Sequence, residues 1–273
     1  MNEEQTELWN GAAGAAWVEA QTTLDELFRP FEEMLVRAAA DLDARRVLDV
    51  GCGTGATTLA VARTRPGSHC TGIDVSRPMI ALARARAARE GSSAQFVVGD
   101  AQGHDFKAAQ FDLVQSRFGV MFFSDPVAAF ANLRRASAAR AALRCIAFRS
   151  PEENPFMTAA ERAARPLLPE LPRRGPDGPG QFAFADARKV QSVLEAAGWR
   201  EVEILPVDRT CAMPERELSG YLLRLGVVGL ALRDADEETR QRVLGVVRAA
   251  FAPYLRDGEV HFNAACWEIA ARA

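Results

Sequence analysis

The chain has 273 residues, of which 48% are apolar and 25% charged, so it is long enough to bury one complete globular core. Its formal net charge of −3 leaves no basic footprint for nucleic acid, and its apolar runs are far shorter than the roughly 20 residues of a membrane-spanning helix. Residues 1–10 are acidic and polar, unlike a signal peptide, which favours a cytoplasmic protein.

The numbers and spacing of the cysteines and histidines limit which disulfides and metal sites the chain can form. The five cysteines are scattered, no Cys-x-x-Cys pair occurs, and only three histidines are present. We therefore predict neither a disulfide framework nor a metal site. Taken with the charge, this composition disfavours a nucleic-acid or large acidic partner, and no membrane span is predicted. We expect a monomer or homodimer.

Strand and helix signals alternate through the first half of the chain, which is the order that builds a parallel sheet covered by helices. Residues 22–40 predict an amphipathic helix, because apolar side chains recur every three or four positions. Five strands follow, with helices in most of the intervals between them. The strands are predicted at 46–50, 70–74, 95–98, 111–114 and 143–148, and the helices at 57–63, from Ser76 to Arg89, and from Asp125 onward.

The pattern loosens after the fifth strand. Residues 151–180 are rich in proline and glycine and too long for a simple connection. Further elements are predicted as a helix over 186–197, a strand over 201–205, helices over 214–224 and 236–252, and a strand over 260–271. We predict one domain over 1–273, with a helical lid at 1–40 and cap insertions at 151–180 and 207–258.

The strongest signal is the run Asp49-Val50-Gly51-Cys52-Gly53-Thr54-Gly55, directly after the first strand. Glycines at alternate positions let the backbone turn sharply and approach a ligand without side-chain hindrance. The helix that follows presents free N–H groups, which suit a carboxylate or a phosphate. A tight turn without a ligand is the alternative reading of such a loop on its own.

Two acidic residues follow the neighbouring strands. Asp74 ends the second strand, where a carboxylate accepts hydrogen bonds from the ribose of NAD or of an adenosyl compound. Its alternative role is to cap a helix, although Ser76 already suits that position. Asp100, in Gly99-Asp100-Ala101, follows the third strand and could accept the exocyclic amine of an adenine.

The glycine spacing distinguishes two classes of cofactor. The dinucleotide fingerprint is Gly-x-Gly-x-x-Gly, whereas the third glycine here comes one residue earlier. Ala56 occupies the last position of that fingerprint, which its alanine variant permits. An NAD(P)-binding oxidoreductase therefore remains the alternative to an enzyme that uses an adenosyl cofactor.

These motifs resemble those of the class I S-adenosylmethionine-dependent methyltransferases, and within them the small-molecule enzymes of the ubiquinone and menaquinone type. The resemblance covers about residues 45–148. Asp49 to Gly55 is similar to the family's first motif, Asp74 to its ribose-binding acid, residues 99–102 to its adenine-contacting segment, and residues 111–123 to its fourth strand and the loop beside the transferred methyl. Residues 137–142 depart from the family, which usually has a Pro-Gly-Gly turn there.

The resemblance implies a Rossmann-like α/β fold, with helices on both faces of a seven-stranded sheet in the order 3-2-1-4-5-7-6 and strand 7 antiparallel. It implies S-adenosyl-L-methionine as cofactor, S-adenosyl-L-homocysteine as product, and in-line methyl transfer to a small-molecule acceptor. A non-catalytic S-adenosylmethionine-binding module is a second alternative. The cofactor-binding residues expected on this basis are Asp49, Gly51, Cys52, Gly53, Gly55, Asp74, Val75, Met79, Gly99, Asp100, Ala101, Ser116 and Trp17.

Methyl transfer needs no covalent nucleophile, so candidates for catalysis are few. His104 follows the third strand, and the ordinary pKa of a histidine suits a base, although a surface histidine is the alternative. Arg117 follows the fourth strand and could bind a substrate carboxylate or pair with a nearby acid. Residues 152–154 follow the fifth strand and are further candidates for contact with the substrate.

Overall fold

One mixed sheet organises the molecule, and the computed structural model describes residues 3–172, 178–233 and 235–273. The strands lie in the order β3-β2-β1-β4-β5-β8-β6, and a short β7 pairs with β8 alone. Strands β1 to β5 run parallel, while β8 lies antiparallel between β5 and β6. Their bounds are β1 Arg46–Val50, β2 His69–Asp74, β3 Gln95–Val98, β4 Phe111–Arg117, β5 Ser137–Phe148, β6 Arg200–Pro214, β7 Leu255–Arg256 and β8 Glu259–Arg272.

The predicted order 3-2-1-4-5-7-6 is confirmed, with β8 as the predicted antiparallel strand 7. Two details differ. Strand β7 is an addition: it forms a tight hairpin with β8, and two residues are too few to show a periodicity. Strand β6 runs to Pro214, so the predicted cap segment 207–258 is wrong at its start, which is part of the sheet. Pro206 and the exposed charges after it concealed this strand, but an edge strand tolerates both.

Helices cover both faces and the carboxyl end of the sheet. The predicted helix over 22–40 is two helices that meet at Phe28, because Pro30 starts a new helix and cannot continue the previous one. The helices are α1 Glu3–Asn10, α2 Ala12–Glu19, α3 Gln21–Leu27, α4 Arg29–Asp41, α5 Ala56–Thr64, α6 Arg77–Glu90, α7 Pro126–Ala136, α8 Pro155–Ala164, α9 Ala187–Ala196, α10 Glu215–Arg224, α11 Gly226–Leu232 and α12 Glu237–Ala250.

The helices outside the strand–helix alternation pack against one another and, in the case of α2, against α6. Helix α2 packs on α6 and α11, and α8 packs on α11 and α12. Residues 173–177 of the predicted cap insertion 151–180 lie outside the described residues. Among the helices of the described ranges, none has both the length and the apolar content that crossing a bilayer would require.

Asn154 ties the chain after β5 to β8. Its fully buried amide donates to the carbonyl oxygens of Ser150 (3.1 Å) and Ala265 (2.9 Å), and its Oδ1 accepts the N–H of Ala265 at 2.9 Å. Since every one of these bonds is internal, the expectation that Asn154 contacts a substrate is wrong. The residue is part of the scaffold that joins α8 to the sheet.

Replacing Asn154 by alanine leaves the buried N–H of Ala265 without its acceptor and removes a donor from the carbonyls of Ser150 and Ala265, so we expect Asn154→Ala to lower the free energy of unfolding by about 2–4 kcal/mol. Asn263→Ala is the matched control, because Asn263 is exposed and its amide makes one long bond, 3.3 Å to Asp208. The control should stay within about 0.5 kcal/mol of the wild type. Urea unfolding measures both; equal losses in the two variants would contradict this role of Asn154.

Candidate functional site

A cavity of about 480 Å³ lies at the carboxyl ends of β1, β2 and β4. Its polar half is formed by the glycine loop between β1 and α5 and by the ends of β2, β3 and β4. Its apolar half is formed by side chains of α2, α3, α8, α10 and α11. Ligands of open α/β sheets bind at this edge, so the cavity is the candidate site.

The glycine loop is pressed against the chain that follows β4. Gly51 has φ +64°, and a Cβ added to it would lie 2.6 Å from the Cα of Gly119. Ser116 holds this contact together: its Oγ donates to the carbonyl of Val50 at 2.7 Å and accepts the N–H of Gly119 at 3.1 Å. Only a glycine at position 51 allows the two segments to approach so closely.

Asp74 fixes the other side of the loop. Its Oδ2 accepts the N–H of Gly53 at 2.8 Å, and its Oδ1 accepts the N–H of Ser76 at 2.8 Å. The carboxylate is buried, which raises its pKa, although these backbone bonds oppose the shift. Asp74 lines the cavity, so its carboxylate both shapes the loop and faces the space beside it.

Asp49 is the second buried carboxylate at the loop. It is 1% exposed, and its Oδ2 accepts the hydroxyl of Thr58 at 2.6 Å. Burial raises its pKa to about 7, against the lowering effects of the Thr58 bond and the Arg117 charge. Asp49 also lines the cavity. Carboxylates therefore flank the loop from both sides, and they favour a ligand with a positive charge.

The glycine loop has few free backbone N–H groups with which to bind a diphosphate. The N–H groups of Gly51 and Cys52 donate to the carbonyl of Ile73 at 2.9 and 3.1 Å, and that of Gly53 donates to Asp74. Dinucleotide sites rely on such groups to bind the pyrophosphate. Because the N–H groups are already bonded and two carboxylates stand nearby, the geometry weighs against an NAD site.

The amino-terminal helices close the cavity on the β2 side. Asn10 clamps the turn before α6, since its amide donates to the carbonyl of Val75 at 2.9 Å and its Oδ1 accepts the N–H of Arg77 at 2.9 Å. Ser76, which caps α6 as predicted, also donates its hydroxyl to the carbonyl of Trp9 at 2.7 Å. Sequence reasoning missed this clamp, because a short polar side chain 65 residues away carries no periodic signal.

Trp9 makes the main aromatic contacts between the amino-terminal helices and the cavity wall. Its ring meets the edges of Trp17 and Phe122, with centroids 5.7 and 5.3 Å apart. All three side chains line the cavity. The tryptophans of the leader are thus packed over the candidate site rather than left exposed to solvent.

Most of the predicted cofactor residues converge on the cavity, and two do not. Those in its wall are Asp49, Gly51, Cys52, Gly53, Asp74, Val75, Met79, Gly99, Asp100, Ala101 and Trp17. Ser116 is buried in its bonds to Val50 and Gly119, and Gly55 faces the ring of Phe96, where a Cβ would lie 2.8 Å away. The expected contact of these two residues with a cofactor is therefore corrected. Ser116 holds the glycine loop against the segment after β4, and Gly55 allows the loop to pack closely on Phe96.

His104 is also corrected. His104 is not among the residues that line the cavity: its N–H donates to the carbonyl of Asp100, its ring packs on Phe106 with centroids 4.5 Å apart, and its Nδ1 lies behind Gly99, 3.2 Å from the position of an added Cβ. Arg117, in contrast, lines the cavity. Its guanidinium donates to the carbonyl of Phe28 at 3.3 Å, and no carboxylate of the described residues lies within ion-pair distance of it.

The apolar half of the cavity was largely missed, because its residues come from segments without a motif. Phe118 and Phe148 stack with centroids 4.3 Å apart and planes 3° from parallel. Burial raises the pKa of Tyr221 to about 12, so this phenol stays protonated at neutral pH. The wall here also contains Phe28, Phe156, Met157, Leu222, Val228 and Phe251.

Alanine substitution at two glycines with positive φ tests the contact between the glycine loop and the segment that follows β4. Gly67→Ala is the control, because Gly67 has φ +85° with nothing within 4 Å of an added Cβ. It should cost about 1–2 kcal/mol of stability from the backbone alone. Gly51→Ala adds the clash with Gly119 and should cost a further 1–3 kcal/mol, roughly, in urea unfolding. Equal losses at both positions would show that the close contact is absent.

Comparisons with known proteins agree with this geometry. The methyltransferase domain family model matches residues 47–139. The chain is 37% identical over 109 residues to aklanonic acid methyltransferase DauC of Streptomyces sp. (strain C5), over 39% of this chain and 50% of that protein. It is 31% identical over 205 residues to malonyl-[acyl-carrier protein] O-methyltransferase of Geobacter sulfurreducens, over 74% and 73% of the two chains.

The fold is shared as well. A Bacillus halodurans C-125 protein described as a methyltransferase superposes with a TM-score of 0.58 at 18% identity, over 88% of this chain and 97% of that one. The chain spans only about half the length of several curated relatives that it matches, DauC among them. The match to the Geobacter sulfurreducens enzyme extends over nearly three quarters of both sequences, and the chain therefore belongs to the S-adenosylmethionine-dependent methyltransferases.

Proposed function

We propose that the protein transfers a methyl group from S-adenosylmethionine to a small-molecule acceptor that is bound in the apolar half of the cavity. The observation that carries the proposal is the pair of buried carboxylates, Asp49 and Asp74, on either side of the glycine loop. When bound, S-adenosylmethionine supplies a methyl group activated by a positively charged sulfur. Relatives named as methyltransferases of aklanonic acid and of malonyl-[acyl-carrier protein] support methylation as the reaction class.

The residues of the polar half fit this cofactor. Gly53 has φ +54° and lines the cavity, so the loop presents backbone without a side chain to the ligand at this point. In the proposal, Asp49 faces the ammonium group of the amino-acid portion and Asp74 accepts hydrogen bonds from the ribose hydroxyls. Asp100 accepts from the adenine amine, beside Val75 and Ala101.

The chain's own contribution to the reaction is to position the reactants and to exclude water. Displacement at a methyl carbon requires the acceptor atom to be held in line at short distance, and the protein needs no nucleophile of its own. The aromatic wall around Phe118 and Phe148 restricts the acceptor's orientation, and Trp9 and Trp17 line the cavity where the amino-terminal helices close it.

We further propose that residues 1–40 act as the lid, with the cap segments around them, and that the protein works in the cytoplasm as a monomer or homodimer without a nucleic-acid partner. The five cysteines are free thiols, four of them buried, which suits a reducing compartment. The net charge of −3 supports a small-molecule partner over a polyanion.

Calorimetry tests the cofactor assignment. We expect S-adenosylhomocysteine to bind at micromolar affinity or tighter and NAD to show no binding. Asp74→Ala should weaken S-adenosylhomocysteine by about 2–4 kcal/mol, or roughly 30- to 1000-fold, because two charge-assisted hydrogen bonds are lost. Asp41→Ala, at an exposed position at the end of α4, is the control. A folded Asp74→Ala protein within threefold of the wild type, or tighter binding of NAD, would rule the assignment out.

Limited proteolysis tests the lid. Cleavage within residues 1–20 should be fast in the free protein and much slower with S-adenosylhomocysteine, because a ligand under Trp9 and Trp17 favours the closed state. Asn10→Ala removes the clamp on Val75 and Arg77 and should speed cleavage in both states. Equal rates with and without ligand would assign the leader a purely structural role.

A further inference from the structure

Among the described residues of the cavity wall, the groups that could accept a proton are carboxylates, and each of them already has a hydrogen-bond or ion-pair partner; Asp100, for example, accepts the N–H of Gln102 at 2.9 Å. None of the described residues that line the cavity is a histidine or a lysine. The carboxylates nearest the apolar half are Asp25, which pairs with Arg86 at 2.8 Å, and Glu161, which pairs with Arg165. Tyr221, with its pKa raised to about 12 by burial, is protonated at neutral pH and is no base.

The two carboxylates of the glycine loop are also engaged. Asp74 accepts two backbone N–H groups, and Asp49 is almost fully buried against Thr58 on the cofactor side. A nucleophile that must first lose a proton would therefore find only carboxylates that already have partners among the described residues of this wall. The arrangement suits an acceptor that is already an anion at neutral pH.

Arg117 is placed to hold such an anion. It directly precedes Phe118, whose ring stacks on Phe148 in the apolar half, and it lies two residues before Gly119, which contacts the glycine loop. Arg117 thus stands where the two halves of the cavity meet. Its one hydrogen bond among the described residues, to the carbonyl of Phe28, is long at 3.3 Å.

Glu32 and Asp49 both feel the charge of Arg117, but neither forms an ion pair with it among the described residues. The pKa of Glu32 is raised, because burial outweighs the lowering effect of Arg117. Glu32 and Arg117 are both described residues, and the Glu32 carboxylate is not within ion-pair distance of the Arg117 guanidinium. A half-buried guanidinium with one weak bond, facing an aromatic cavity, is most stable with an anionic ligand.

We propose that the acceptor is an apolar aromatic carboxylic acid, that Arg117 binds its carboxylate, and that this carboxylate is methylated; the inference rests on the proposed methyl transfer. One carboxylate oxygen forms a bond to the methyl carbon while the carbon–sulfur bond breaks and leaves its electron pair on sulfur. The products are a methyl ester and S-adenosylhomocysteine, and no proton moves. A guanidinium bound to one carboxylate oxygen leaves the other oxygen able to react.

Binding to the protein loaded with S-adenosylhomocysteine tests the inference without turnover. The probes are benzoate, 2-naphthoate and 2-anthracenecarboxylate, each compared with its primary amide by calorimetry. The best-fitting acid should bind about tenfold tighter than its amide or better, as expected for a charge-assisted contact. Arg117→Gln should remove this preference and Arg117→Lys should keep part of it. Arg242→Gln, at an exposed position on α12, is the control.

Product analysis gives a second readout: S-adenosylmethionine with the preferred acid should yield a base-labile methyl ester. The inference is overturned if no acid binds better than its amide, or if no probe binds at all. It is also overturned if Arg117→Gln weakens S-adenosylhomocysteine but leaves the acid-to-amide ratio unchanged, since Arg117 would then serve the cofactor. Failure of the wild type to bind S-adenosylhomocysteine would instead reject the proposed function itself.

Discussion

The carboxylate of Asp74 is the interaction on which the site depends. By accepting the N–H groups of Gly53 and Ser76, it joins the glycine loop to the start of α6. Ser76 in turn holds the leader through the carbonyl of Trp9. One buried acid thereby couples the glycine loop, the sheet and the amino-terminal helices, so these three parts of the cavity wall are joined through the same residue.

This arrangement costs stability in the free protein. The folded pKa of Asp49, about 7, exceeds its ordinary value of 3.8, so folding becomes less favourable as the pH rises from about 4 to about 7. Burying a second carboxylate at Asp74 acts in the same direction. A cationic ligand would offset this cost by stabilising the ionised acids, which gives a physical reason for placing them beside a ligand site.

Local signals made much of the fold predictable, and contacts distant in sequence explain the rest. Strand β1, the glycine loop and the Ser76 cap depend on neighbouring residues, and all three are present. Strand β6 was shortened in the prediction because its pairing with β8 is invisible in its own sequence. The roles of Ser116 and His104 were missed because chain position does not reveal whether a side chain faces a cavity or the protein interior.

The pH dependence of S-adenosylhomocysteine affinity tests most directly the claim that buried carboxylates at the glycine loop select a cationic ligand. Because the proposed contact with the ammonium group requires ionised Asp49, affinity should rise by up to about tenfold per pH unit below the Asp49 pKa of about 7 and level off above it. Asp49→Asn should bind weakly and show a flat profile. A flat wild-type profile between pH 5.5 and 8.5, roughly, or an unchanged slope in Asp49→Asn, would contradict the account.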